Sequence, residues 1–190
     1  MAKKKHTILK HLTNLKALEQ EVSTAVERQR DDDRIAKQDD TKNLLDDVSN
    51  TLATQIDRLG QRIEALGGQP TSELKEGLAK ALGAIEGLWE KLREEPVSSA
   101  LRDDYAALNL VAIQHTALHA VARALDDRTT ADLAFQNLRE LTPLVVEISQ
   151  VVPLVVVAEA AAEHEGVDLG VATEAARTTH QAWQPDVAES

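Results

Sequence analysis

The sequence contains no cysteine, and aromatic residues make up only 2% of its 190 residues. Without cysteine, the chain has no disulfides, no thiolate metal ligands and no cysteine nucleophile. Glycine and proline are also few, and neither occurs in the first 59 residues. So long a stretch without a helix breaker favours long helices over a sheet with many turns. The core then has to be built from Leu, Val, Ile and Ala, which suit helix-on-helix packing.

Positive charge is also scarce, because 21 Lys and Arg face 32 Asp and Glu and the formal net charge is −11. That charge repels a polyanion, so we expect no nucleic acid partner. The lysines at positions 3–5 form the one basic patch, and their place at the terminus favours a disordered, solubilising segment. No apolar run reaches the ~18–20 residues of a membrane span. No secretory signal is visible either, so we expect no membrane partner and a cytoplasmic protein.

Apolar residues recur at spacings of three and four along four long segments, which is the pattern of amphipathic helices. The second segment stops at Gly67-Gly68, a strong helix C-terminal signal. A shorter amphipathic segment, at about 72–94, separates the two pairs of long segments. The long segments run from about Thr7 to Arg30, from Leu45 to Leu66, from Pro96 to Leu125 and from Thr130 to Gly166.

This order of segments predicts an all-α protein and, more specifically, a bundle of four helices. The additional shorter helix would lie in the crossover between the two helix pairs, as in bundles with a long connection. We place the bundle at residues 1–166 and a C-terminal tail at 167–190, because the last residues are small, polar and mixed.

Inside the fourth segment, the run Val151–Val157 (VVPLVVV) is apolar on every side. It is too short to span a membrane, so protein must cover it, either the core of the same chain or a second copy. We favour a homodimer contact, with simple burial as the open alternative.

Four short segments resemble ferritin-like proteins, and most of all the stress-associated bacterial branch often called YciF-type. The segments are Glu19–Val22, Gln55–Gly68, His115–Leu125 and Asn137–Glu140, within a likeness that covers residues 8–160. The resemblance implies a ferritin-like four-helix bundle that is commonly dimeric and, in many members, holds a di-iron site. Two bundle helices then give one Glu each and two give Glu-x-x-His, because residues i and i+3 share a helix face.

The chain departs from that ligand pattern. None of its six histidines has Asp or Glu three residues before it, and residues 105–125 contain no carboxylate. Gln55 stands where a metal-binding member places a ligand. Only Glu19 and Glu140 remain as family-like ligands, and two carboxylates cannot hold two iron ions. We therefore expect no metal and no cofactor.

Glu19, Gln55 and His115 nevertheless fall on or beside the inward stripes of three different helices. If they meet, they form a buried hydrogen-bond network in which His115 supplies the donor that a buried Glu19 requires. A small-ligand or mononuclear metal pocket is the alternative. His119 follows His115 at i+4, a spacing that can chelate zinc, copper or nickel. If a metal binds, we expect its ligands among Glu19, Glu140, His115 and His119.

The sequence therefore favours a non-catalytic, ferritin-like structural or stress-related interaction protein that has lost the di-iron centre. The link to stress comes from the resemblance alone. One alternative is a metal-binding or redox ferritin-like protein with an altered ligand set. Another is a carrier that holds a small apolar ligand between the valine-rich fourth helix and its partners.

Overall fold

The structure, a computed structural model, describes residues 2–35, 38–68 and 96–183. Over these residues it has five α-helices and no strand. The prediction of an all-α bundle is confirmed. The shorter helix predicted at 72–94 lies outside the described residues. The helices are α1 (Ala2–Arg30), α2 (Asp39–Ala65), α3 (Val97–Ala124), α4 (Arg128–Glu163) and α5 (Val171–Trp183).

The directions of the helices follow from the contacts between them. α1 and α2 form an antiparallel hairpin, and α3 and α4 form another with a short turn at 125–127. α1 is also antiparallel to α3, because Glu19 contacts His115 and Gln29 contacts Asp104. α2 and α3 are therefore parallel, so the end of α2 and the start of α3 lie at opposite ends of the bundle. This is the topology of a bundle with one crossover.

The apolar stripes of α1–α4 meet in one aliphatic core. Its largest fully buried side chains are all Leu or Ile except one, His115. Burial of each such aliphatic side chain contributes roughly 1.5–3 kcal/mol, so packing of leucine dominates the stability. The aliphatic members are Leu12, Leu15, Leu44, Leu45, Leu52, Leu59, Leu101, Leu108, Leu118, Leu141 and Ile148.

The end of α2 follows its glycine signal. Gly67 has a φ of +61°, in the left-handed region where a Cβ is disfavoured. Its N–H donates to the carbonyl of Glu64, and the N–H of Gly68 donates to the carbonyl of Ile63. These two bonds satisfy carbonyls that the helix leaves open at its C-terminus.

The start of α4 is fixed by Asp127. Its carboxylate caps the helix by accepting from the Thr130 N–H at 3.0 Å. It also accepts two hydrogen bonds from the Arg62 guanidinium, at 2.7 and 2.8 Å. Partial burial alone raises the pKa of Asp127, but the bonds from Thr130 and Arg62 lower it overall. The cap of α4 and the last turn of α2 are therefore held together by one ion pair.

Two features of the helices differ from the sequence-based expectation. α1 begins at Ala2, so the lysines at 3–5 belong to a helix and the predicted disordered segment is wrong there. Lysine is a good helix former, and nothing in this segment breaks a helix. As the fourth segment predicts, α4 includes both Pro143 and Pro153. Within the predicted tail, α5 packs on α4, and its His180 bonds Gln150 at 3.1 Å. The domain boundary at 166 stays a prediction.

The valine-rich run of α4 is only partly covered. Val151 and Val155 are buried in the core, whereas Val156 is 46% exposed. By length and composition, α4 alone among the described helices could cross a membrane. A core helix of a soluble protein meets the same criterion, so this observation carries little weight.

A buried carboxyl group interrupts the apolar contact between α1 and α3. Asp104 is fully buried and accepts one hydrogen bond, from the Gln29 Nε2 at 3.0 Å. Its Oδ2 and the Gln29 Oε1 have no hydrogen-bond partner in the part of the chain that the structure describes. Burial raises the pKa of Asp104 to about 8, against the lowering effect of Gln29, and the nearby charge of Asp103 adds to the rise. A proton on Asp104 gives this pair the second donor that its two free oxygens need.

We expect Asp104 to make the bundle less stable as pH rises. Because its folded pKa of about 8 lies above the unfolded value, the folded state keeps a proton that the unfolded state loses. The free energy of unfolding should therefore fall by up to about 1.4 kcal/mol per pH unit between pH 5 and 8. The variant Asp104→Asn should not show this loss. Urea unfolding at pH 5 and pH 8 measures it.

The control is Asp132→Asn, which removes an exposed carboxylate from α4. It should keep the pH dependence of the original protein. If Asp104→Asn and the original chain lose stability in parallel between pH 5 and 8, Asp104 is not protonated in the fold.

Candidate functional site

Glu19 and His115 form a buried pair at the contact of α1 with α3. Glu19 lies on the core stripe of α1, four residues after Leu15, and His115 lies on the core stripe of α3, four residues after Val111. Both side chains have zero exposure, and 2.6 Å separates the His115 Nε2 from the Glu19 Oε1. The helix periodicity that builds the core thus also brings these two polar groups together.

Burial determines the charge of this pair. It raises the pKa of Glu19, and the hydrogen bond and positive charge of His115 oppose that rise only in part. A carboxylate next to a neutral imidazole would leave one net charge in the core, which is costly. The pair is therefore most stable with no net charge, which requires one proton more than a carboxylate and a neutral imidazole hold together. The Glu19 Oε2 and the His115 Nδ1 have no further partner within the described residues.

Gln55 connects α2 with α4. Its Nε2 donates to the backbone carbonyl of Asn137 at 2.9 Å, and both side chains are fully buried. The Gln55 Oε1 and the Asn137 Nδ2 make no hydrogen bond to any residue that the structure describes. Two neutral amides therefore stand in the core between these helices.

Arg58 lies one turn after Gln55 and extends the polar contact between Gln55 and Asn137 to the surface. Its guanidinium donates to the Asn137 Oδ1 at 3.2 Å and forms an ion pair with Glu140. Partial burial alone raises the pKa of Glu140, but hydrogen bonds from Arg58 and Gln136 lower it overall. Arg58 and Glu140 also line an open groove of about 390 Å³ between α2 and α4.

The sequence-predicted candidates therefore separate into different contacts. Glu19 and His115 bond each other, Gln55 bonds the backbone of α4, and Glu140 pairs with Arg58. His119, despite its i+4 spacing from His115, has its Nδ1 2.8 Å from the carbonyl of Ala131. Over the described ranges, no three His, Asp or Glu side chains form a group that could hold a metal ion.

Sequence reasoning missed Arg58 and Asn137. A signal for them existed, because Gln55 and Arg58 are spaced i, i+3 on α2, as Asn137 and Glu140 are on α4. A search for any polar pair at that spacing on the inward stripes would have found both. Neither pair contains the Glu-x-x-His pattern that the resemblance implies, so that pattern does not reveal them.

A second groove bears on the proposed apolar carrier. It has a volume of about 410 Å³ and lies where the start of α2 meets α4. Val151, Leu154 and Val155 form its apolar wall, while Asp39 and Asp40 line the other side. The carrier hypothesis stays a prediction.

The comparison with known families decides the ancestry of this fold. The family model of the ferritin-like domain matches residues 36–143, which is more than half of the chain. The chain belongs to the ferritin-like domain family. Neither the curated proteins nor the solved structures contain a match to it.

The matched range contains all the polar site residues described above except Glu19. It includes α2, α3 and the first half of α4, and therefore the two i, i+3 pairs and His115. Glu19 precedes the matched range, on α1. The contact of Glu19 with His115 thus joins the helix before the match to the family's own helices.

We expect the Glu19–His115 pair to be strongly coupled in stability. Either Glu19→Leu or His115→Leu leaves one buried polar group unpaired, so each should lower the free energy of unfolding by about 3–5 kcal/mol. The double variant leaves no unpaired group and should lose much less than the sum of the two. Denaturant unfolding of the four proteins measures the coupling.

Additive losses would contradict the pairing. His119→Leu is a matched control, because His119 bonds a backbone carbonyl and not Glu19. Combined with Glu19→Leu, it should show losses that simply add.

Proposed function

We propose that this ferritin-like protein has lost the di-iron centre that its resemblance implies, and that it acts as a non-catalytic structural or interaction protein. We place it in the cytoplasm and near the YciF-type branch, from which its link to stress is taken. One observation carries the proposal: the guanidinium of Arg58, one turn after the buried Gln55, lies at the edge of the contact between α2 and α4 and binds the Asn137 Oδ1 and Glu140.

The donor atoms at the two i, i+3 pairs support the loss of iron. Gln55 and Arg58 take the spacing of one Glu-x-x-His motif on α2, and Asn137 and Glu140 take that of the other on α4. Amides are weak neutral ligands compared with carboxylates, and a guanidinium cannot bind a metal at all. Glu140 is the one carboxylate in these four positions, and Arg58 already engages it.

Charge balance leads to the same conclusion. A di-iron site needs several carboxylates because the two metal ions supply four or more positive charges. In this protein, Arg58 neutralises Glu140, and the proton held between His115 and Glu19 neutralises the other carboxyl group. The negative charges of both carboxyl groups are therefore already neutralised within the chain, and the residues do not fit a di-iron centre.

A metal-binding protein with an altered ligand set is the second candidate. Three buried atoms that could bind a metal favour it, because they have no hydrogen-bond partner in the described residues. They are the Glu19 Oε2, the His115 Nδ1 and the Gln55 Oε1. One divalent ion could use such atoms if the side chains rearranged. We rank it second because Glu140 and His119, the other ligands considered, have their own partners.

Metal content distinguishes the two candidates. The protein is purified without a metal-affinity tag, loaded with Fe²⁺, Mn²⁺ or Zn²⁺, and passed through a desalting column. We expect less than one tenth of a metal ion per chain by elemental analysis. One ion per chain, lost in Glu19→Ala, would support the altered ligand set and contradict our proposal.

Rebuilding the ligands tests the assignment of positions. The five substitutions Gln55→Glu, Arg58→His, His115→Glu, Asn137→Glu and Glu140→His restore one Glu or one Glu-x-x-His on each of α2, α3 and α4. With Glu19 unchanged, this variant should bind two Co²⁺ per chain, seen as visible absorption bands. The control adds Glu19→Ala to the same variant and should bind less. If the variant with all five substitutions folds but binds no Co²⁺, these residues do not stand at the positions of the former metal ligands.

A further inference from the structure

The middle of α3 carries no charge on the side that points away from the bundle. Between residues 105 and 122 the chain has no Asp, Glu, Lys or Arg. Leu110 is 42% exposed and Ile113 is 58% exposed, the latter near the middle of the helix. We call the exposed side chains of this segment the neutral face: Ala106, Asn109, Leu110, Ile113, Gln114, Thr116 and Ala120.

Two polar members of the neutral face are already satisfied by their own helix. The Asn109 Nδ2 donates to the carbonyl of Tyr105 at 2.7 Å, and the Thr116 hydroxyl donates to the carbonyl of Ala112 at 3.1 Å. Covering a polar group costs little free energy when its hydrogen bond is kept. A partner helix could therefore cover this face without leaving these donors unpaired.

Charges on α1 and α2 make the neutral face the more favourable surface for self-association. With a net charge of −11, two copies of the chain repel each other wherever acidic surfaces meet. The exposed sides of α1 and α2 carry charged residues such as Glu21, Glu27, Asp57 and Glu64. α3 offers about five turns over which two copies can approach without bringing like charges together.

The neutral face is also complementary to itself when two copies of α3 run antiparallel. Ala106 and Ala120 lie seven residues on either side of Ile113. A two-fold axis at Ile113 therefore sets Ala106 of one copy against Ala120 of the other. Beyond the neutral face, Asp103 already forms an ion pair with Arg102 of its own chain at 3.0 Å, so this end of the contact brings no unpaired carboxylate against the second copy.

We propose that the neutral face binds a second copy of this chain, antiparallel and with the two-fold axis at Ile113. This inference deepens the interaction role proposed above and names its partner. Alanines at the two outer positions let the helix backbones approach closely, and Ile113 fills the centre. The neutral face replaces Val151–Val157 as the favoured dimer contact, because Val151 and Val155 are already buried in their own core.

The size of the neutral face sets the expected strength. Residues 106–120 of a helix extend over about 21 Å, which is at the small end of specific interfaces. We therefore expect a dimer that dissociates in the micromolar range. Its formation should depend on protein concentration and little on salt, since the centre of the contact is uncharged.

Sedimentation velocity on the full chain between 1 and 200 μM tests the association. We expect a shift from monomer to dimer, and Ile113→Glu should shift the midpoint to at least tenfold higher concentration, because it sets two carboxylates against each other at the axis. Leu169→Glu is the matched control, since Leu169 is 60% exposed but lies outside α3. It should dimerise like the original chain. Circular dichroism checks that each variant is folded.

Disulfide trapping tests the geometry, because the chain has no native cysteine that could form other disulfides. Under mild oxidation, Ile113→Cys should form a covalent dimer, because the axis places the two sulfur atoms side by side. Leu169→Cys should not. An equimolar mixture of Ala106→Cys and Ala120→Cys should cross-link to each other, whereas neither should cross-link alone.

Four outcomes would overturn the proposal. One is a chain that stays monomeric at 200 μM, and another is a dimer that Ile113→Glu does not weaken. The third is a covalent dimer of Ala106→Cys alone, which indicates parallel helices. A monomer that binds neutral phosphatidylcholine vesicles through Ile113 would assign the face to a membrane and would also overturn it. None of these outcomes affects the metal measurement, so the two proposals fail independently.

Discussion

The alignment of α1 with α3 rests on two buried polar pairs, and the rest of the structure depends on it. Glu19 meets His115 and Gln29 meets Asp104. The two positions are ten residues apart on α1 and eleven apart on α3, so antiparallel helices bring both pairs into contact at once. Sliding one helix by a single turn would set both carboxyl groups against aliphatic side chains, at a cost of several kcal/mol. Leucine packing alone does not discriminate between such alignments as strongly.

Across the other pair of helices, α2 and α4 are held by amide and guanidinium groups. Gln55 binds the backbone of α4, Arg58 binds Asn137 and Glu140, and Arg62 binds the cap of α4. These three residues of α2 follow one another at intervals of three and four. Gln55, Arg58 and Arg62 therefore form a continuous row of nitrogen donors along the side of α2 that faces α4.

Much of this fold was predictable from the spacing of apolar residues. The stripes of α1 and α3 place Glu19 and His115 inward, and the glycine pair marks the end of α2 where Gly67 adopts a positive φ. Asp104 follows the same stripe as Leu101 and Leu108, yet a carboxyl group at a core position is rare enough that the pattern alone assigned it no role. Arg58 was missed for a different reason, because a long side chain at the edge of a stripe reaches inward only when its partner on another helix is known.

The large sequence distance between the paired residues has a kinetic consequence. The two polar pairs join residues 75 and 96 positions apart, whereas each hairpin closes over a short connection. The hairpins can therefore form early, and the polar pairs come together only when the hairpins dock, because closing a long loop takes more entropy. A docked intermediate in the wrong alignment would still bury its leucines, but its carboxyl groups would lack partners. The native alignment supplies both partners, so Glu19 and Asp104 favour it over such arrangements when the hairpins dock.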